Sequence, residues 1–368
     1  MRVVLERRPS VRTRHLIAVP VLSALLGTVV GGIFLTITGH NAFKVYSVMA
    51  KTSYTTLYGI TDTLATATPL ILAGLAAAFA FRVNLYSIGA EGQIYLGAIF
   101  ATGAGIAFGS MSPLIAIPSV LVAGVLGGMF WMFLPALFRA RFGTNEIITT
   151  LMFNFVALYL MRYLIYGSST WWRDPESTNF PIGKQMGANS WLPRFGRQSV
   201  HWGFIVAIVV VILIWFILNR SRFGFQMKVL GDAPNAARYA GISVAGTTLG
   251  VLLISGALAG LGGAIEVAGR AHALDPNGLA IGIGYSGIIV AALARFNPWG
   301  VVVLAIAFGG LQNSASALQS LGSERVPVSI AVMLQGMILL LALAGEILVK
   351  YRIRLRSGSG VELQEVAA

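Results

Sequence analysis

The chain has 368 residues, of which 56 % are hydrophobic and 11 % charged, and its mean hydropathy is +0.79. Soluble domains carry roughly 25 % charged residues, so a water-soluble globular protein is excluded; the long unbroken apolar runs also exclude a β-barrel, whose strands would alternate over about ten residues. The net charge of +13 would suggest nucleic acid in a soluble protein, but here the basic residues gather at the ends of apolar runs, so the charge is topological and no nucleic-acid partner is expected.

In chain order, residues 1–15 form a basic N-terminal segment with Arg2, Arg7, Arg8, Arg12 and Arg14. The apolar run that follows, from about Leu16 to Ile37, is longer than a signal-peptide core and has no A-x-A site after it, so it reads as a retained first span. Further spans are predicted at roughly 60–81, 93–109, 113–138, 146–166, 202–219, 246–270, 279–295, 299–317 and 327–349, each long enough to cross or nearly cross a bilayer. Ten spans put both termini on one side. Arg82, Arg139, Arg141, Arg220, Arg222, Lys228, Arg238, Arg295, Lys350, Arg352, Arg354 and Arg356 then join the N-terminal arginines there. The positive-inside rule makes that side cytoplasmic, although Arg173, Lys184, Arg194 and Arg197 in 167–201 run against the bias.

The expected fold is therefore an all-α integral membrane protein of about ten transmembrane helices with both termini cytoplasmic. Residues 16–349 form one transmembrane domain, 350–368 a cytoplasmic tail, 219–245 a cytoplasmic loop, and 39–59 and 167–201 external loops. The end of the tail, from Ser357, is small and polar and reads as disordered. The 167–201 loop carries Trp171, Trp172, Trp191, Pro175, Pro181 and Pro193; it reads either as an interfacial aromatic belt or as a docking face for an extracytoplasmic partner.

The third span opens with Ile88-Gly89-Ala90-Glu91-Gly92-Gln93-Ile94 and the eighth with Ile281-Gly282-Ile283-Gly284-Tyr285-Ser286-Gly287-Ile288. Both are short and glycine-interrupted and enter from opposite sides, which points to an inverted repeat around a midplane pathway. Gly282-x-Gly284-x-x-Gly287 matches a dinucleotide fingerprint only on paper, because no strand precedes it and no acidic residue follows at the required distance. Its glycines, like Gly256, Gly260 and Gly263, read as points of close helix contact. No phosphate-binding loop of the G-x-x-x-x-G-K-[ST] type occurs.

Ionisable groups at membrane depth cost ~2.5–3.5 kcal/mol each on insertion scales. Glu91, which follows Arg82 and Asn84, either pairs with Arg82 to hold a broken helix or lines a path. Glu146, Thr150 and Asn154 recur at i, i+4 and i+8, a polar stripe that should face the bundle interior and serve interhelix hydrogen bonding or a path. Glu266 and Arg270 can neutralise each other at i, i+4. Gln93, Gln312 and Asn313 could hydrogen-bond a polar solute, and with Asn84, Glu91, Glu146, Thr150 and Asn154 complete the candidate pathway set. The four histidines, His15, His40, His201 and His272, lie far apart, and the chain has no cysteine, so neither a metal site nor a disulfide is expected. Nothing arranges a nucleophile, a base and oxyanion donors, so no catalytic role is expected.

The 219–245 loop reads as a small folded unit. Asp232 is placed to cap a helix, Pro234 suits its first turn, Asn235–Ala240 allow about a turn and a half, and Gly241 ends it. Ala236, Ala237 and Ala240 make a small-residue face suited to a groove on another protein; a helix lying on lipid would want bulkier apolar residues.

These segments together resemble the permease subunits of ATP-binding-cassette importers, in the branch that handles branched-chain amino acids, simple sugars and nucleosides. The resemblance is carried by 81–93, 143–154, 231–242, Leu258-Ala259-Gly260-Leu261-Gly262-Gly263-Ala264 and 284–288, and spans about residues 60–345. Glu91-Gly92-Gln93 and Asn145-Glu146 look most like the nucleoside type, the longer of two paired permeases; Ser87 departs from the asparagine expected before Ile-Gly. The resemblance implies a bacterial cytoplasmic-membrane permease with a coupling helix at about 232–241, on which Gly231, Asp232, Asn235, Ala236, Ala237, Tyr239 and Gly241 meet a separate ATPase subunit. It also implies a second permease subunit, an extracytoplasmic substrate-binding protein, and no cofactor on this chain, since ATP is used by the partner. Simple-sugar and branched-chain amino acid permeases are the near alternatives. A stand-alone ion-coupled carrier using Glu91, Glu146 or Glu266 is the alternative of a different class.

Overall fold

The computed structural model describes residues 2–7, 13–167, 170–177, 179–279, 281–318, 333, 334, 336, 337, 340, 341, 344, 345 and 351–356. These residues are mostly helical and fall into two compact units, Met1–Lys44 with Val326–Ala368, and Val45–Arg325.

In the first unit, α1 runs from Thr13 to Ile37. Strand β1, Arg2–Arg7, pairs antiparallel with β2, Tyr351–Arg356, with Arg2 opposite Arg356 and Arg7 opposite Tyr351. This ribbon is a departure from the expected all-α fold. Residues 351–356 alternate apolar and basic along the chain, a period of two that suits a strand and not a helix. The expected disorder from Ser357 and most of the tenth predicted span lie outside the described residues.

The second unit begins within α2, Ala42–Tyr54, a helix where an external loop was expected. Its buried Val45, Met49 and Ser53 repeat at i, i+4, i+8, and Ser53 Oγ donates to the Gly310 carbonyl at 2.6 Å. Helix α3, Leu57–Phe81, starts at Thr56, whose side chain accepts from Gly59 N–H, and is almost wholly buried. Around it stand α4 (Ala90–Phe108), α5 (Pro113–Phe142), α6 (Glu146–Arg162), α7 (Gly203–Arg220), α10 (Val244–Glu266), α12 (Ile283–Leu293) and α13 (Pro298–Leu318). Between α7 and α10 lie two shorter helices, α8 (Arg222–Asp232) and α9 (Pro234–Tyr239), and α11 (Pro276–Leu279) precedes α12.

Lipid tails give no hydrophobic drive between helices, so small residues that allow close approach set the packing. At the crossing of α4, α5 and α10, a Cβ on Gly128 would overlap the Gly256 carbonyl oxygen, one on Gly260 that of Gly124, and one on Gly97 that of Gly260. Three backbones therefore meet where only glycine fits, as the glycine spacing of α10 predicted. Helix α7 is the opposite case: Val209, Ile212, Leu213 and Phe216 are exposed, an apolar face suited to lipid.

Among the described residues, six segments are long and apolar enough to cross a membrane: Leu57–Phe81, Pro113–Phe142, Glu146–Gly167, Gly203–Arg220, Val244–Ala271 and the interrupted Pro276–Leu293. The chain is a multi-pass membrane protein. Helices also cover the predicted spans at 16–38, 93–109 and 299–317.

Candidate functional site

The two glycine-interrupted segments meet at their helix starts. Glu91, in the first turn of α4 and 2 % exposed, turns its carboxylate onto the first turn of α12. Oε1 accepts from Gly282 N–H at 3.1 Å and Oε2 from Gly284 N–H at 2.6 Å. Tyr95, one turn along α4, donates its hydroxyl to Oε1 at 2.6 Å. Unpaired N–H groups and the positive end of the helix dipole make a helix start a good place for a carboxylate; here one carboxylate sits at two of them. Gly282 begins α12 from left-handed backbone, φ +79. A Cβ on Gly284 would run into the Glu91 backbone, so the glycines bring the amides within reach. Arg82 is not the partner of Glu91: its guanidinium donates to the Phe296 carbonyl at 3.3 Å.

The α6 stripe faces the same junction. Asn154 Oδ1 accepts from Gly92 N–H at 2.9 Å, while its Nδ2 donates to the Ile88 carbonyl at 2.7 Å and to the Tyr285 hydroxyl at 3.2 Å. Thr150 Oγ accepts from Ile88 N–H at 3.1 Å and donates to the Glu146 carbonyl at 2.6 Å. Glu146 Oε1 accepts from Tyr86 N–H at 3.0 Å, and its Oε2 lies 3.2 Å from Arg139 Nε. The three stripe residues thus hold the non-helical connection 82–89 by its backbone. Buried backbone outside regular helices needs such internal partners. Gln93 is buried beside them; its Nε2 donates to Met132 Sδ at 3.1 Å, and its Oε1 has no hydrogen-bond partner. Gln312 and Asn313 stand apart from this junction on α13, half-buried, with Asn313 Nδ2 donating to the Gly59 carbonyl at 3.4 Å. Glu266 and Arg270 form the expected pair at 3.8 Å.

The loop after α7 forms a hook of two helices. Ser221 caps α8 by accepting from Gly224 N–H at 3.0 Å, and Gly224, Met227 and Leu230 form its buried face. This helix was missed in the sequence, although Ser221 followed by apolar residues at helical spacing is its signal. Asp232 ends α8 and does not cap α9: the residue before α9 is Ala233, and no side chain caps it. Gly241, φ +74, ends the hook as expected, with its N–H on the Arg238 carbonyl. Ala237 is wholly buried, so the small-residue face does not point outward as a whole. The outward residues of α9 are Pro234, Asn235, Ala236, Arg238 and Tyr239, the last 94 % exposed. Asn84 lies here, exposed beside Gly231, and not at the junction. A cavity of about 380 Å³ lies against the hook, lined by Arg82, Asn219, Ser221, Lys228 and Asp232 among others.

The described residues of the 167–201 connection are folded. Trp172 Nε1 donates to the Ile99 carbonyl, which ties the connection to the middle of α4, and Trp191 Nε1 to that of Met186 within the connection. The Trp191 ring stacks on His272 at 4.1 Å, and Arg194 stands 3.2 Å from His272 Nε2 at the edge of a cavity of about 500 Å³. Burial, and then the Arg194 charge, lower the His272 pKa. His201 is 2 % exposed and accepts from Gly203 N–H; burial first, then Arg194, pulls its pKa down to about 4. Among the described residues, no three His, Cys, Asp or Glu side chains cluster to hold a metal.

Residues 59–343 match the family described as "Branched-chain amino acid transport system / permease component". The guanosine ABC transporter permease protein NupP of Bacillus subtilis is 34 % identical over 88 % of this chain and 93 % of its own length. The nucleoside ABC transporter permease protein NupB of Lactococcus lactis subsp. cremoris is 30 % identical over 84 % of this chain and 86 % of its own. The glucose ABC transporter permease protein TsgB13 of Haloferax volcanii is 33 % identical over 91 % and 89 %. With a helical bundle of apolar spans, an interior junction of interrupted helices and a similarity that runs nearly end to end, the chain belongs to the family of ABC transporter permease components.

Proposed function

We propose that this chain is the membrane permease subunit of an ATP-driven importer that moves nucleosides into a bacterial cell. The observation that carries the cargo is the near full-length similarity to permeases whose names specify guanosine and nucleosides. In this reading the domain is a ten-span inverted repeat over 16–349 in the cytoplasmic membrane with both termini inside, supported by the meeting of the α4 and α12 helix starts. A separate ATPase subunit docks on the hook, where Asn235, Ala236 and Tyr239 offer the contact and Gly231, Asp232, Ala237 and Gly241 shape it. A second permease subunit completes the pathway, and a substrate-binding protein delivers cargo to the outer face. The ATP is bound and hydrolysed by the partner, and this chain carries no cofactor.

The pathway role divides among the polar residues. Glu91, Glu146, Thr150 and Asn154 spend their polar atoms on backbone and on the neighbouring Tyr95, Arg139 and Tyr285 side chains, and frame the wall. Gln93, with an open acceptor, and Gln312 are the groups free in chemistry to meet a polar solute. Rigid-body movement of the ATPase, held at the hook, would rock the bundle about this frame.

The test is uptake by the reconstituted complex of labelled nucleosides, ribose or glucose, and branched-chain amino acids. ATP-dependent accumulation of nucleosides alone is expected. Accumulation of the sugar alone would move the chain to the second reading, which the similarity to a glucose permease supports. Uptake by this chain alone under an ion gradient would overturn the importer reading.

A further inference from the structure

The connection 82–89 between α3 and α4 is held at both ends. At one end Asn84 occupies left-handed backbone, φ +58, a region that Asn tolerates better than most side chains. From there its Nδ2 donates to the Gly231 carbonyl, on the last turn of α8, at 2.8 Å. Gly231 lies close enough that a Cβ on it would stand 2.5 Å from the Arg82 carbonyl oxygen. Towards the other end, Tyr86 N–H is held by Glu146, and both the N–H and the carbonyl of Ile88 are held by Thr150 and Asn154. Asn154 and Glu91 continue to α12. A connection of eight residues pinned in this way is a strut: a displacement at one end is passed along it, where a free loop would absorb it.

We propose that Asn84 is a positioning residue for transport, the pin by which movement of the α8–α9 hook reaches the helix starts of α4 and α12. The proposal rests on the reading that the hook docks the ATPase. Coupling of this kind is a claim about energy and needs a coupling measurement, not contiguity alone. Asn84 is the residue to alter, because its side chain makes the hook contact while its backbone conformation can be kept. Asn84→Gly retains left-handed backbone and removes the donor. Asn84→Asp retains the side-chain shape and turns an acceptor towards the Gly231 carbonyl.

The experiment uses the complete reconstituted transporter in proteoliposomes, with solute uptake and ATP hydrolysis read from the same sample. For both variants the ATPase subunit should copurify as for wild type and hydrolysis should stay within about twofold, while solute moved per ATP falls about 3–10-fold, the range set by one lost hydrogen bond. An unchanged ratio in both variants overturns the proposal. Loss of ATPase copurification in both also overturns it, since Asn84 would then act in docking. A parallel Arg238→Glu, Tyr239→Asp double variant tests the reading beneath it: normal copurification and uptake there would remove the hook as the docking site, whatever the Asn84 variants do.

Discussion

The junction of α4 and α12 and the α8–α9 hook are both short, glycine-bearing departures from long apolar helices, yet they are held in opposite ways. At the junction, Glu91, Thr150 and Asn154 are buried and their polar atoms reach backbone groups of other segments. On the hook, α9 has no side-chain cap, and Asn235, Ala236, Arg238 and Tyr239 stand in the open. Polar residues inside the bundle thus act as a frame, and those on the hook are exposed.

The sharpest test is Glu91→Leu. It strips the acceptor from two amides, and an unsatisfied buried group costs roughly 1–3 kcal/mol, so a loss on the order of 2–6 kcal/mol is expected in thermal unfolding of the purified protein. Glu91→Gln, which keeps an acceptor for only one of the two amides and turns an NH2 donor on the other, should lose about half of that. Next is acid. His201, in the 167–201 connection, is buried like a junction residue, and its folded pKa of about 4 lies below the usual 6.5. Below 6.5 the unfolded chain takes up the proton first, so stability is full above that pH and falls progressively towards pH 4, by about 3 kcal/mol at ~1.4 kcal/mol per pH unit. Chemical denaturation at pH 7 and pH 4.5 should show the loss, and His201→Gln should flatten it.

A smaller effect is expected for Asn154→Ala. Interhelical hydrogen bonds in membranes average ~0.6 kcal/mol, so three lost contacts predict about 1–3 kcal/mol. The smallest is Tyr239→Ala, an exposed substitution expected to change stability by less than about 0.5 kcal/mol while ATP-dependent uptake falls. A Tyr239→Ala protein that unfolds as early as the Asn154→Ala one would erase the distinction between frame and hook.

Local signals in the sequence carried the long apolar helices but not α2 or α8, and they carried the close-approach glycines, the inward stripe at 146, 150 and 154, and the Gly241 stop. Each depends on spacing within one element, and spacing is what a sequence displays. The partner of Glu91 was not legible, because Gly284 lies 193 residues further on and Arg82, nearby and of opposite charge, was the obvious choice. The inward turn of Ala237 depends on how α9 lies on the body, which its six residues do not encode. The start of α8 was legible in Ser221, but its last residue, Asp232, reads in sequence as the cap of α9. The β1–β2 ribbon was half legible: 351–356 alternate, but β1 does not.

The distance along the chain between Glu91 and its acceptor-hungry amides also bears on how the protein is made. At about 5–20 residues per second of synthesis, Gly284 leaves the ribosome roughly 10–40 s after Glu91. Throughout that interval α4 carries a carboxylate whose two amide donors do not yet exist. Until α12 arrives, the donor at hand within α4 itself is the Tyr95 hydroxyl. Assembly of the bundle is therefore sealed late, by a bond between an early helix and one of the last to be synthesised.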